Sequence, residues 1–203
     1  EARFSLGYIY RYAGMNDEAI REMEKTITLD SENQGFRSIN VTYLFAGKYE
    51  NAIEAGKLFE ENSFIVMFEG LALLKLGKDT EALKRFNRVV ILDPGSRQAI
   101  VARALKAFIE GNTTEGLSHA ARYEQFDSPD AEVWYFNSFL YGMMGDTEGC
   151  IRCLRKSVYS GFFNYPLMIM DPYLDSAREE PEFQEILEEA RLKHLAFKES
   201  VFK

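Results

Sequence analysis

The sequence predicts an all-α fold: five helix pairs stacked as a solenoid and closed by a C-terminal helical cap. Three observations predict it. A turn glycine recurs at Gly14, Gly47, Gly77, Gly111 and Gly145, with spacings of 33, 30, 34 and 34, and a period of that size marks stacked repeats. Apolar residues before and after each glycine fall at three- and four-residue steps, the spacing of one helix face. No β-branched run with strand alternation appears.

In the first copy, residues 1–33, Leu6, Tyr10 and Ala13 share a face before the glycine, and Ala19, Met23 and Ile27 share one after it. Gly14 supplies a left-handed helix stop. Asp17 and Glu18 put acidic charge where it suits the dipole of the next helix. Gly7 and Ala19 are small enough to let the two helices cross closely. The same plan is expected over residues 34–62, 63–96, 97–129 and 130–160. Residues 161–203 break the period. Gly161 to Pro166 reads as a turn-rich connector. Asp171-Pro172 opens a short helix over 172–178, since proline suits the first helical turn. Pro181 opens a long helix over 181–200, in which Phe183, Ile186, Leu187, Ala190 and Leu195 form an apolar stripe. Such a stripe can cover the last open face of a stack.

Arg3, Leu6, Gly7 and Tyr10, followed by Ala19, Met23, Thr26 and Asp30, resemble the tetratricopeptide repeat pattern. So do Gly70, Leu73, Ala82, Phe86, Val89, Asp93 and Pro94 in the third copy, and Trp134 with Tyr141 in the fifth. The resemblance covers residues 1 to about 160 and implies a right-handed superhelical solenoid. Two copies depart from it. Gly56 replaces a large residue in the second, whose 30-residue step predicts a shortened second helix or exit turn around Glu60 to Ser63. Gly116 stands where alanine is usual in the fourth. The tail, through Tyr165-Pro166, Asp171-Pro172-x-Leu174-Asp175, Arg178, Pro181-x-Phe183 and Arg191-x-x-His194, resembles the segment that follows such arrays in some bacterial multidomain signalling proteins. That likeness implies a regulatory segment acting on an effector domain.

Composition narrows the function. The chain has 203 residues, 46% hydrophobic and 28% charged, enough to bury a core. Its formal charge of -8 disfavours phosphate backbones and anionic membrane surfaces. The longest apolar candidate, Leu71 to Leu76, is broken by Lys75 and falls far short of the ~20 residues that span a bilayer. Two cysteines cannot form a disulfide framework, which favours a reducing, cytoplasmic setting. The chain opens at Glu1, without methionine and inside the first repeat, as expected of a segment of a longer protein. An open repeat edge at that end makes a homodimer an expectation.

Catalytic chemistry has little to work with. His119 and His194 lie on helices without a nucleophile motif beside them. Cys150 and Cys153 form a C-x-x-C inside a helix, with no second ligand pair for zinc; they read as packed thiols. No enzyme activity, cofactor or metal is expected.

The resemblance implies instead that the first helix of each repeat lines a concave groove that receives a peptide or protein segment. Its lining is expected from Phe4, Tyr8, Arg11 and Tyr12; Arg37, Val41 and Phe45; Met67, Leu71, Leu74 and Lys75; Leu105 and Phe108; and Tyr135 and Phe139. The groove is apolar and aromatic, with Arg11, Arg37 and Lys75 favouring a ligand of some acidic character. Chaperone-binding members carry a lysine and asparagine clamp for a carboxylate. Phe4, Tyr8, Arg37 and Val41 stand at the comparable positions, so binding of chaperone C-termini is not expected. Finally, Glu69, Arg103 and Asn137 hold matched positions on three successive first helices. They predict a partly buried Glu69–Arg103 pair with Asn137 close by, acting as a register device or polar anchor.

Overall fold

The computed structural model describes residues 2–126 and 128–202. The chain is an all-α, right-handed superhelical solenoid of five helix pairs with a C-terminal helical cap. The pairs are α1 (Ala2–Tyr12) with α2 (Asn16–Leu29), α3 (Ile39–Phe45) with α4 (Tyr49–Gly56), and α5 (Ser63–Lys75) with α6 (Asp79–Leu92). They continue with α7 (Arg97–Ile109) and α8 (Thr113–Glu124), then α9 (Ala131–Met143) and α10 (Thr147–Tyr159).

Each first helix ends in the same hydrogen-bonded turn. After α1, Gly14 N–H bonds the Arg11 carbonyl at 3.2 Å and Met15 N–H bonds the Tyr10 carbonyl at 2.8 Å. This is the left-handed glycine stop, with Gly14 at φ 79°. Lys78 to Leu73, Asn112 to Ala107 and Asp146 to Tyr141 repeat the longer bond. Side-chain caps start the later first helices: Asn62 accepts from Phe64 and Ile65 N–H, Ser96 from Ala99, and Asp130 from Glu132. The crossing of α1 and α2 is tight, because a Cβ on Gly7 would lie 2.7 Å from Met23 Cγ.

The second pair is the irregular one. A 3₁₀ turn, Gln34–Ser38, precedes the seven-residue α3, and α4 ends at Gly56 after eight residues, against fourteen in α2 and α6. The neighbouring repeat occupies the volume beside Gly56, where an added Cβ would sit 2.9 Å from Glu69 Oε1.

The tail departs from the expected connector and short helix. Asn164 caps a helix, α11 (Tyr165–Met170), and Pro172–Ala177 forms a 3₁₀ turn rather than an α-helix. The final helix, α12 (Pro181–Val201), buries Phe183, Ile186 and Ala190. Leu195 leaves that stripe and is exposed, since Phe197, seven residues after Ala190, carries the contact face onto α1. The cap therefore does more than cover the last pair: it returns to the first. Phe163 N–H bonds the Tyr12 carbonyl at 2.9 Å, Asn164 Nδ2 donates to the Arg11 carbonyl at 2.8 Å, and His194 Nδ1 lies 2.6 Å from the Ala13 carbonyl oxygen.

Two turn glycines separate conformational from steric need. Gly77, at φ 70°, has open space where a Cβ would go, whereas a Cβ on Gly14 would lie 2.7 Å from Pro166 Cδ and 3.2 Å from Asn164 Cα. Gly77→Ala is expected to cost about 1–2 kcal/mol, the left-handed penalty alone. Gly14→Ala should cost more in the same chemical unfolding assay, and equal losses would show that the tail does not press on the first turn.

Candidate functional site in the concave face

The first helices do line the inner side of the superhelix, but the expected open groove is largely filled by the chain itself. Val41, Phe45, Leu71, Leu105, Tyr135 and Phe139 are each at most 2% exposed. Phe162 from the tail enters an aromatic cluster, 5.7 Å from Phe45, 5.2 Å from Tyr135 and 5.3 Å from Tyr12 between ring centroids. Leu74 is buried, and Phe108 meets Tyr173 of the 3₁₀ turn at 6.0 Å. Phe4 is also buried, stacked 4.7 Å from Phe36. The physical reason is curvature. A short array curls until its fifth pair reaches its first, and the tail returns through what space remains.

Two of the three expected groove cations are spent on that closure. Arg11 of α1 is 1% exposed; Nη2 lies 2.6 Å from Glu132 Oε2 on α9, and Nη1 donates to the Ser38 carbonyl at 3.1 Å and Thr42 Oγ1 at 3.2 Å. Its guanidinium also sits 4.2 Å from the Tyr8 ring centre, a favourable cation–π placement. Next to it, Tyr12 donates to Asp130 Oδ1 at 2.5 Å. Burial pushes the Glu132 carboxyl up to about 7, and Arg11 opposes the shift. Deeper along the same face, the Lys75 ammonium pairs with Asp171 and lies 3.5 Å from the Tyr173 ring centre. Asp171 also accepts from the Tyr135 hydroxyl at 2.5 Å. Burial lowers the Lys75 pKa, with Asp171 opposing.

The polar trio is not brought together. Glu69 pairs with Arg85 of α6 at 3.4 Å, and Arg103 donates to the Pro94 carbonyl at 3.1 Å. Asn137 faces α8; with its amide oriented to suit its surroundings it donates to the Ala120 carbonyl at 3.1 Å and accepts from Glu124 N–H at 3.2 Å. Glu69 and Asn137 turn to second helices and Arg103 to the backbone between α6 and α7, so the three do not meet.

What remains open is the half of the concave face at the N-terminal ends of α5, α7 and α9. A cleft of about 120 Å³ there is lined by Phe64, Met67, Phe68, Arg97, Gln98, Val101, Tyr123, Asp130, Glu132, Val133 and Phe136. Arg37 stands at its rim with its guanidinium 5.3 Å from the Phe64 ring centre, and Arg97 is exposed. Of the expected groove residues, Met67 reaches this cleft directly. Sequence reasoning missed Asp130, Glu132, Phe162, Asn164 and Asp171. Asn164 and Asp171 carried a signal as polar residues one or two before a proline, but that signal marks a cap and is silent about a distant partner.

Other candidates stay structural. Cys150 and Cys153 are buried in α10, and burial pushes both thiols up to about 12, which keeps them protonated. Among the described residues no group of three or more His, Cys, Asp or Glu could hold a metal ion, and no helix is long and apolar enough to cross a membrane. His119 lies 3.7 Å from Glu115 on its own helix.

Residues 1–33 match the family model of the tetratricopeptide repeat. No curated protein matches the chain in sequence. Among solved structures it is similar to the APC/C hetero-tetramer Cut9–Hcn1, with 16% identity and a TM-score of 0.59 over 93% of this chain and 42% of that one. It is also similar to a tetratricopeptide repeat protein from Parabacteroides merdae, with 18% identity and a TM-score of 0.50 over 93% of this chain and 83% of that one. These likenesses show the fold. The chain spans well under half of the first structure, and the tail's likeness to signalling proteins gains no support from either.

Two measurements test the closure. Arg11→Met, which leaves Glu132 buried without its cation, should cost about 3–5 kcal/mol, and Arg11→Met with Glu132→Leu should recover most of it; purely additive losses would mean the pair is not coupled. The pH dependence has a defined sign. An ordinary glutamate ionises near 4.5, and Glu132 in the fold near 7. Between those values the folded chain keeps a proton that the unfolded chain has released, so this group's contribution to stability declines as pH rises through the window. Glu132→Gln should flatten that decline, and an unchanged slope would assign it elsewhere.

Proposed function

We propose that this array of tetratricopeptide type is a non-enzymatic interaction module that holds a peptide or protein segment in the open half of its concave face. The observation that carries the reading is the cleft between α5, α7 and α9, with apolar walls and two cations at its mouth. Phe64 stands half-buried on the apolar side of the cleft, with Met67, Val101 and Phe136 buried behind it, and burial of a ligand's apolar surface is worth roughly 25 cal/mol per Å². The acidic groups in the cleft are already engaged, Glu132 by Arg11 and Asp130 by Tyr12 and the Glu132 N–H. Arg37 and Arg97 therefore set the charge a ligand meets, and they favour an apolar anchor with acidic neighbours. The filled half acts as a rigid floor: Phe45, Leu71, Tyr135 and Phe139 shape the cleft from behind without touching the segment.

Panning a random peptide library against the full chain should enrich sequences with one large apolar residue flanked by acidic ones. Arg37→Glu combined with Arg97→Glu should weaken the enriched peptides at least tenfold by fluorescence anisotropy. Peptides that bind the double variant as well as the parent would place the site elsewhere.

A further inference from the structure

The concave cleft is lined unevenly. Its α5 side is apolar, with Phe64 and Met67, whereas α7 and α8 bring the polar side chains of Arg97, Gln98 and Tyr123. Tyr123 is the informative one. It stands twelve residues after its turn glycine, as Thr26 and Ser157 do on their own second helices. Those two hydroxyls are used inside the fold: Thr26 Oγ1 donates to the Glu22 carbonyl at 2.8 Å, and Ser157 Oγ to the Ala131 carbonyl at 2.9 Å. Neighbouring tyrosine hydroxyls are used too, Tyr12 with Asp130, Tyr135 with Asp171 and Tyr141 with Glu124. Tyr123 is 6% exposed, yet its hydroxyl bonds no described residue. A buried tyrosine hydroxyl ordinarily finds a partner, because leaving it unmet costs free energy. Unlike Arg11 Nε and Ser38 Oγ, which are enclosed without a partner, it opens on the cleft that the side chain lines. Burial pushes its pKa up, with Arg97 opposing and Asp130 and Glu132 adding to the rise, so it stays a proton donor at neutral pH. The Arg97 guanidinium and the Gln98 amide likewise carry donors that no described residue accepts.

We infer that the α7 and α8 side of the cleft is a carboxylate receptor, in which a side-chain carboxylate of the bound segment accepts from the Tyr123 hydroxyl and the Arg97 guanidinium, with the Gln98 amide as a third donor. The inference rests on the cleft being the ligand site, and it assigns the ligand group that enters there. Donors without an acceptor select an acceptor, and the cation among them selects a charged one, since charge-assisted hydrogen bonds are the stronger kind. A neutral carbonyl would answer Tyr123 and leave the charge of Arg97 unmatched. A phosphate dianion would bring a second negative charge close to Asp130, which is held by neutral donors, the Tyr12 hydroxyl and the Glu132 N–H. With Glu132 paired to Arg11, Asp130 offsets one of Arg37 and Arg97, and a single carboxylate offsets the other. This is not the lysine and asparagine clamp of chaperone-binding members: its hydroxyl comes from a second helix.

The probes are isocaproate, which joins a leucine-like group to one carboxylate, and its neutral counterpart isocaproamide. Titrated separately into the full 15N-labelled chain at neutral pH, the acid should shift the amides of Arg97, Gln98 and Tyr123 saturably. The neutral probe should bind about tenfold more weakly, the loss expected when a charged acceptor becomes a neutral one. Tyr123→Phe removes an oxygen that bonds nothing in the fold, so its unfolding midpoint should equal the parent's. It should weaken the acid about tenfold and the neutral probe less. Equal affinities for the two probes, no saturable shifts in α7 and α8, or a lowered midpoint in Tyr123→Phe, which would reveal an internal partner for the hydroxyl, would each overturn the inference. Failure of the wider reading looks different. Peptides enriched by panning are resynthesised with both ends blocked, so that only side chains supply carboxylates. If they respond to Arg37→Glu with Arg97→Glu but not to Tyr123→Phe or to glutamine in place of their own acidic residues, the cleft stays the ligand site and the receptor is overturned. If the acid shifts α7 and α8 as expected and no peptide is enriched, the receptor stands and the bound segment does not.

Discussion

The contact between Arg11 and Glu132 is the constraint on which the rest of the inner architecture depends. A guanidinium cannot be taken out of water without partners, and Arg11 has no water-facing route once α3 and α9 close over it. Its Nη2 finds a carboxylate only when the first and fifth helix pairs meet, while the Ser38 carbonyl and the Thr42 hydroxyl of the second engage Nη1. The curvature of the array is therefore fixed by chemistry at a point, and not only by how each pair stacks on the next.

That closure decides how the aromatic residues are used. Tyr12, Phe45 and Tyr135 face inward from three different first helices, and a curled array without a filler would leave them around a void. Phe162 fills it, and Asp171 gives Lys75 and Tyr135 a common partner. The tail thus behaves toward the array as a bound segment would: one aromatic anchor, one backbone bond to Tyr12, one buried carboxylate. The cleft that remains is smaller than the whole inner face, and it is bordered by residues whose charges are already balanced. Selectivity falls to the rim, where Arg37 and Arg97 stand.

The helix pairs were legible because local chemistry writes them. A glycine that must adopt positive φ, a capping side chain and a three-to-four spacing each act within a few residues. The interior was not legible, because its contacts join residues far apart in sequence. Arg11 and Lys75 looked like groove cations, and nothing near them announces carboxylates 121 and 96 positions later. Glu69, Arg103 and Asn137 misled for a different reason. Their equivalence in the repeat is real, but each turns to a local partner, Arg85 of α6, the Pro94 carbonyl and the backbone of α8, and not to the others. The filling of the groove was not legible, since periodicity shows which residues face inward and not what meets them.

The return of the tail to the first helix has a consequence for how the chain comes to be folded. In an open array each pair leans only on its neighbours, and folding can spread from any of them. Here the Arg11 carbonyl is bonded by a side chain 153 positions later, and the Ala13 carbonyl by one 181 positions later. Contacts of that separation slow folding, because a long loop must close before they contribute. During synthesis the first helix leaves the ribosome long before the residues that seal it exist. Its inner face, including Tyr12 and the Arg11 guanidinium, lacks its distant partners until α9 and the first residues of the tail have been made.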